Sequence, residues 1–214
     1  MFTLKIDPEH PDEALIIRAV NILKAGGVVA YPTETFYALG AGAENKMAVE
    51  KIFSLKGRPF DNPISIIISQ MSELSHLVEH IPDIACRLAE TFWPGALTLV
   101  FRAKPHINPL LTAGSGKIGI RISSHPIATA LAKTLSQPIT ATSANLSGQK
   151  ECATPDEVAL CLGYHIDALI DGGPTAGGAG STIMDLTTDP PEITRAGIIP
   201  PFLIEQVLRT NRHG

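Results

Sequence analysis

The chain has 214 residues, 44% of them hydrophobic and 18% charged, with a net charge of −4. Such a length suits one domain with a sizeable buried core, expected over residues 1–214, and the acidic balance gives a nucleic-acid binder no global support beyond a local basic cleft. Three cysteines, Cys86, Cys152 and Cys161, have no paired CxxC spacing, which argues against a disulfide framework or a Cys-rich zinc site. No basic leader with an apolar stretch opens the chain and no apolar run reaches membrane-span length, so a cytoplasmic location without membrane contact is expected.

In chain order, Pro11 suits a first helical position and Asp12 and Glu13 its positive end. Leu15, Ala19, Ile22 and Leu23 fall on one face, and Gly26-Gly27 ends the helix. Val28 to Tyr31 reads as a buried strand. If extended geometry continues past Pro32, then Thr33, Thr35 and Tyr37 share a face at period two. Those hydroxyls could bind a polar ligand without supplying charge, or be ordinary strand-end polarity. A second helix, marked by Met47, Val49, Ile52 and Phe53, runs into Lys56-Gly-Arg-Pro-Phe-Asp-Asn-Pro63. Each proline there removes an N–H and biases its predecessor toward extended geometry, so Lys56 and Arg58 stand on a stiffened corner. That corner can hold an anion or be a solvated turn.

A strand over 64–68 and a helix over 72–81 follow. Within the helix, His76-Leu-Val-Glu79-His80 has the spacing of one zinc-peptidase class. Leu74, Leu77, Val78 and Ile81 form the apolar face, leaving Glu73, His76 and His80 outward, and no third carboxylate ligand stands out downstream; a solvated face and no metal site are expected. Ile84, Leu88 and Phe92 mark a helix stopped by Trp93-Pro94-Gly95, and Leu97 to Phe101 is a strand. Gly114-Ser-Gly-Lys117 fails as a phosphate loop, because Leu111 replaces the first glycine and Ile118 the metal-holding hydroxyl. It also leads into a strand, not a helix N-terminus. In that strand Lys117, Gly119 and Arg121 share a face opposite Ile118, Ile120 and Ile122, with room at the glycine for a ligand; an edge strand with outward charges fits the same pattern.

His125-Pro126 opens a helix with Ile127, Ala130, Leu131 and Leu135 as its buried stripe. Pro138 to Thr142 is a short strand ending in Ser143-Ala-Asn145, whose side chains could bond phosphate oxygens, a base edge or their own backbone. Thr154-Pro-Asp-Glu157 is a capping box. Ala168 to Asp171 is a strand, Gly172 to Gly180 a glycine-rich loop, Ser181 to Leu186 a strand and Phe202 to Leu208 a closing helix. The alternation argues for an α/β fold, a twisted mixed sheet with packed helices. The missing G-x-G-x-x-G after the first strand counts against a nucleotide-binding Rossmann domain.

Tyr31-Pro-Thr-Glu-Thr35, Lys56-Gly-Arg-Pro59 with Asp61-Asn-Pro63, Trp93-Pro-Gly95, Arg121 before His125-Pro126, Ser143-Ala-Asn145, Ser181-Thr182 and Arg195-x-Gly197 occur in this order along nearly the whole chain. Jointly they resemble the YrdC-like family of threonylcarbamoyl-adenylate synthases, in its shorter single-domain branch. The resemblance implies a twisted mixed α/β sheet around a concave positive cleft. It implies an enzyme that condenses L-threonine, bicarbonate and ATP to threonylcarbamoyl-AMP and pyrophosphate, feeding downstream machinery that modifies adenosine in tRNA. It further implies a catalytic set of Lys56, Arg58, Ser143 and Asn145, and a threonine site of Thr35, Arg121, Ala141 and Ser181. Arg58, Asn62, Lys117, Ser143 and Arg195 would hold the nucleotide, with Mg²⁺ travelling with ATP and no dedicated metal cage. Attack of N-carboxy-threonine on the α-phosphate brings two anions together, so Lys56 and Arg58 are expected to grip them. Three positions depart from the family pattern. Ile67 stands where the two-domain branch has histidine, Ala196 where proline is usual and Ala38 where glycine is common. A different reading of the same surface is an RNA-binding module without chemistry.

Overall fold

Local capping chemistry sets most helix boundaries in the computed structural model, which describes residues 1–209. Helix α1 spans Glu13–Lys24 and begins at Asp12, whose carboxylate accepts from the Leu15 N–H at 3.1 Å. Pro11 therefore lies outside the helix, not at its first position. Its buried stripe is Ile16, Ala19, Val20 and Leu23, so the expected Leu15 and Ile22 are only half-buried at the stripe's margins. Helix α2 (Lys46–Lys56) starts at Asn45 and stops at Gly57, whose left-handed φ of 58° returns its N–H to the last turn. Then come α3 (Leu74–Leu77), α4 (Asp83–Phe92), α5 (Pro109–Thr112) and α6 (Pro126–Leu135), the last capped by the His125 ring. Helix α7 (Pro155–Leu162) carries the full Thr154/Glu157 capping box, and α8 (Pro201–Arg209) follows. No helix among the described residues is long and apolar enough to cross a membrane.

The helix expected over 72–81 shrinks to a 3₁₀ turn, Met71–Glu73, and α3. Val78 turns extended to bridge Ala103, so His76 and His80 fall on different segments. The Glu73 carboxylate accepts from the Ser69 N–H and hydroxyl and from the Gln70 N–H.

The strands, in chain order, are β1 (Phe2–Lys5), β2 (Val29–Pro32), β3 (Tyr37–Gly40), β4 (Ile66–Ile67), β5 (Leu97–Arg102), β6 (Lys117–Arg121), β7 (Ile139–Thr140), β8 (Thr142–Ser143), β9 (Ala168–Asp171), β10 (Thr182–Asp185) and β11 (Glu192–Arg195). They form two mixed sheets where one was expected, ordered β1-β9-β2-β3-β8 and β11-β10-β5-β6-β4-β7. The N-terminal strand β1, parallel to β9, has no counterpart in the sequence reading. Residues 139–143 pass from one sheet to the other: β7 pairs with β4, β8 pairs with β3, and Ala141 between them donates to the Ser65 carbonyl at 2.8 Å.

Strand alternation divides the core in two. Val29 and Tyr31 face a cluster with Ile16, Val20, Ile127 and Leu131 from α1 and α6. Val28 and Ala30 face the larger cluster, which gathers α2, α4 and the apolar side of the second sheet, including Leu99, Ile118 and Ile120. Each such fully buried aliphatic side chain contributes about 1.5–3 kcal/mol. These two layers hold the facing sheets, and the cavity between them, in place.

Candidate active site

A cavity of about 430 Å³ opens between the sheets. The first sheet and its hairpin supply Thr33, Thr35 and Ala38; the second supplies Thr98, Lys117, Gly119, Arg121, Ser181 and Arg195. The corner adds Arg58 and the crossover adds Ala141 and Ser143. Arg58, Lys117, Arg121 and Arg195 stand against the carboxylates Asp185 and Glu151, so the cleft is positive in a chain that is negative overall.

Thr33 and Thr35 reach the cavity by a different route from the expected continuous strand. Pro32 pairs opposite Tyr37, so residues 33–36 form the hairpin turn between β2 and β3. The Thr33 hydroxyl donates to the Phe36 carbonyl at 2.7 Å and lies 3.1 Å from that of Thr35. Tyr37 does not join them at the cavity through its hydroxyl, which donates to the Gly173 carbonyl at 2.7 Å. Ala38 sits on the floor opposite Ser143 across the β3/β8 pair. Ile67 is buried in the α1/α6 cluster and does not line the cavity.

The corner behaves differently at its two cations. Lys56 is 3% exposed, and its Nζ donates to the Ser143 carbonyl at 2.5 Å, the Asn145 carbonyl at 2.7 Å and Asn145 Oδ1 at 3.1 Å. Three protons meet three oxygens of the chain itself. Burial, and then the nearby Arg58 charge, bring the ammonium down to about 8. Lys56 thus lies behind the cavity lining and clamps the 143–145 turn. Asn145 lies in the same clamp behind the cavity wall, accepting from the Ser143 hydroxyl at 2.6 Å and donating to the Gln149 carbonyl at 2.6 Å. Arg58 does line the cavity, with Nε and one terminal nitrogen bonded to the Asn62 and Pro63 carbonyls at 3.1 and 2.9 Å. Asn62, expected at the nucleotide, contributes that carbonyl and stands exposed outside the lining.

On the second sheet, Ser181 and Arg195 form one unit although the sequence reading assigned them to different substrates. Arg195 donates through Nε and a terminal nitrogen to the Ser181 carbonyl at 3.1 and 2.8 Å, and to its hydroxyl at 3.0 Å. Burial and then Arg121 lower the Arg195 pKa. The Ser181 hydroxyl is also 2.8 Å from that of buried Thr98. Thr98 escaped sequence reasoning, although a polar residue alternating with Leu97 and Leu99 on β5 was its available signal. Lys117 pairs with Asp185 at 2.8 Å, and Asp185 also accepts from the Thr187 N–H and hydroxyl. Burial opposes ionisation of Asp185, but these hydrogen bonds together hold its carboxyl below the usual range. Gly119 forms flat floor: a Cβ there would meet Ser65 Oγ at 2.6 Å and Thr98 Cγ2 at 3.1 Å. Gly197, after Ala196, is equally constrained, since a Cβ would lie 2.2 Å from the Gly180 carbonyl.

Arg121 ends β6 and faces the cavity; its Nε lies 3.4 Å from Glu34 Oε1 in a pair without hydrogen-bond geometry. Glu34, Thr98, Glu151 and Asp185 are among the polar residues at the cavity that the sequence reading did not single out. No group of three metal-binding side chains occurs among the described residues.

The Sua5/YciO/YrdC family model, described as "Telomere recombination", matches residues 21–197. A Bacillus subtilis protein named threonylcarbamoyl-AMP synthase is 43% identical over 203 residues, covering 94% of this chain and 59% of its own length. The crystal structure of Pyrococcus abyssi Sua5 complexed with L-threonine superposes with a TM-score of 0.95 at 39% identity, over 98% of this chain and 61% of that one. Thus the chain spans about six tenths of these relatives. The Escherichia coli YciO crystal structure has a TM-score of 0.85 at 33% identity, covering 92% of this chain and 97% of that one. Motif order, two mixed sheets around a positive cleft and these matches agree: this chain belongs to the Sua5/YciO/YrdC family.

Proposed function

We propose that the chain is an L-threonylcarbamoyladenylate synthase, a nucleotidyltransferase whose product serves threonylcarbamoyl modification of tRNA by separate transfer machinery. The observation that carries this reading is the composition of one small cavity. Three cations tethered to the chain itself, Arg58, Lys117 and Arg195, stand around it, and Arg121 faces the same space beside Thr35 and Ala141 with its terminal nitrogens unbonded among the described residues. This suits a triphosphate and an amino acid held side by side. The threonine amine and bicarbonate condense to N-carboxy-threonine with loss of water. A carboxylate oxygen of that carbamate then attacks the α-phosphorus, the bond from phosphorus to the β-phosphate oxygen breaks, and pyrophosphate leaves with the electron pair.

The residues then divide the work. Arg121 takes the threonine carboxylate, with Thr35 and Ala141 shaping the pocket around it. Arg58, Lys117 and Arg195 face the phosphates and offset the charge that builds when two anions meet. Ser143 is presented by the turn that Lys56 and Asn145 clamp, and Ser181 acts chiefly through Arg195. Mg²⁺ is expected with ATP; among the described residues no group of three metal-binding side chains occurs, and Asp185 is engaged by Lys117 and Thr187. No step is assigned to the ion.

Pyrophosphate release tests the proposal. It should require threonine and bicarbonate together, fall sharply with serine in place of threonine, and vanish in Arg58→Ala. Release indifferent to threonine would overturn it. Salt-sensitive binding of duplex RNA without turnover would favour the RNA-binding reading instead, but a concave site of about 430 Å³ fits small molecules better than a phosphate backbone.

A further inference from the structure

Four of the cations in and around the cavity are already tied to oxygens of the chain itself: Lys56 to the 143–145 turn, Arg58 to Asn62 and Pro63, Lys117 to Asp185, and Arg195 to Ser181. Arg121 is the exception. Its side chain is 8% exposed and makes no hydrogen bond among the described residues. Among the described residues its one ion-pair partner is Glu34, 13% exposed, with Oε1 3.4 Å from Arg121 Nε. Both of these atoms are buried and unpartnered, whereas the terminal guanidinium nitrogens retain access to the cavity that Arg121 lines. The other Glu34 oxygen is held by the Ser123 hydroxyl in a short hydrogen bond. Ser123 is itself fixed at the entry to α6, accepting from the His125 N–H at 3.2 Å through its hydroxyl and from the Thr129 hydroxyl at 2.9 Å through its carbonyl.

A guanidinium offers two edges, one containing Nε and one made by the two terminal nitrogens. The geometry points to Glu34 as a positioning residue. Anchored by Ser123, it draws the Nε edge of Arg121 to the cavity wall and leaves the terminal edge turned outward for a substrate carboxylate. Glu34 belongs to the β2–β3 turn of the first sheet, Arg121 ends β6 in the second, and Ser123 lies in the connection that follows β6. The contact therefore ties the two sheets at one end of the cavity and sets where the carboxylate can dock relative to Thr35. An Arg121 without Glu34 would keep its charge but lose its orientation, and a bidentate contact depends on orientation. The distance of 3.4 Å suits this role, because contacts at such sites often tighten only when ligand completes them. This inference rests on the threonine-site reading above and adds a residue that acts through Arg121 without touching substrate.

Calorimetric binding of L-threonine to the unaltered chain, Glu34→Gln, Arg121→Lys and the double variant tests it, with steady-state pyrophosphate release alongside. Glu34→Gln should weaken threonine roughly ten- to hundredfold, by loss of one oriented charge-assisted contact. The loss should appear in KM for threonine, with kcat at saturating threonine and the affinity for ATP nearly unchanged. In the Arg121→Lys background, Glu34→Gln should add almost nothing. Ser123→Ala, which frees the carboxylate while keeping its charge, should move threonine KM in the same direction by a few-fold; it carries the test if Glu34→Gln folds poorly. Additive losses, equal affinity in Glu34→Gln, or a fall confined to kcat would overturn the role of Glu34 while leaving the function intact. An unaltered chain that binds no threonine would overturn the threonine-site reading and the inference with it.

Discussion

At Lys56, three oxygens of the 143–145 turn lie within 2.5–3.1 Å of one ammonium, whereas the Arg121 side chain makes no hydrogen bond among the described residues and its nearest carboxylate oxygen there is 3.4 Å away. Both side chains are nearly buried and both sit in motifs that read as anion-binding. The difference shows that burial and charge do not by themselves identify a ligand-binding cation; what decides is whether its donors already have acceptors. The helix-to-strand corner uses its lysine to build a wall. The end of β6 holds its arginine open.

Breaking each side of that contrast should have different consequences. Lys56→Ala leaves two buried carbonyls and an amide oxygen without their donor, so it should cost about 2–4 kcal/mol of stability, and also abolish turnover by releasing Ser143. Denaturant unfolding and pyrophosphate release measure the two effects. Arg121→Gln should raise KM for threonine about a hundredfold while shifting unfolding much less, by about 1–2 kcal/mol for the unpaired Glu34. Equal stability losses in the two variants would erase the distinction between wall and site.

The pH dependence sharpens it further. Lys56 falls from its ordinary 10.5 to about 8 in the folded protein, so between those values the unfolded chain binds a proton that the folded one lacks. This group therefore makes stability rise with pH over that window, and its buried-charge cost is fully present only below it. Turnover should run the other way, declining as pH passes about 8, because a neutral amine has two protons for three oxygens. Activity flat from pH 7 to 9.5 would contradict the clamp.

Smaller effects are expected on the opposite wall. Gly119→Ala places a methyl against Ser65 and Thr98 and should lower kcat/KM about tenfold, with a destabilisation of about 1–3 kcal/mol. Thr98→Val removes only the hydroxyl beside Ser181, and should raise KM for ATP a few-fold through a looser Arg195. An effect of Thr98→Val on threonine instead would mean that the Ser181 hydroxyl serves the amino acid directly.

Features governed by near neighbours were legible from the amino acids. The Thr154 capping box, the Gly57 stop, the alternation of Ile118 and Ile120 with Lys117 and Arg121, and the proline-set corner each depend on a few residues and their dihedral or period preferences. The order of the motifs pointed to the family and to the four cations that line the cavity, Arg58, Lys117, Arg121 and Arg195. Misses arose where a local pattern met a distant partner. Thr33, Thr35 and Tyr37 alternate as a strand would, but the β2/β3 register turns residues 33–36 into a hairpin. The 72–81 stretch has a helical apolar face, but Val78 is drawn into a bridge with Ala103.

The sequence by itself determined which residues could form caps, corners and charged strand faces, because those properties are set by backbone sterics and side-chain direction over a turn or two. Only the tertiary structure decided what each polar group meets: Lys56 with a turn some ninety residues on, Lys117 with Asp185, Glu34 with Arg121 and Thr98 with Ser181. A hydrogen bond acts over about 3 Å, and no local period encodes which remote strand will come within that distance.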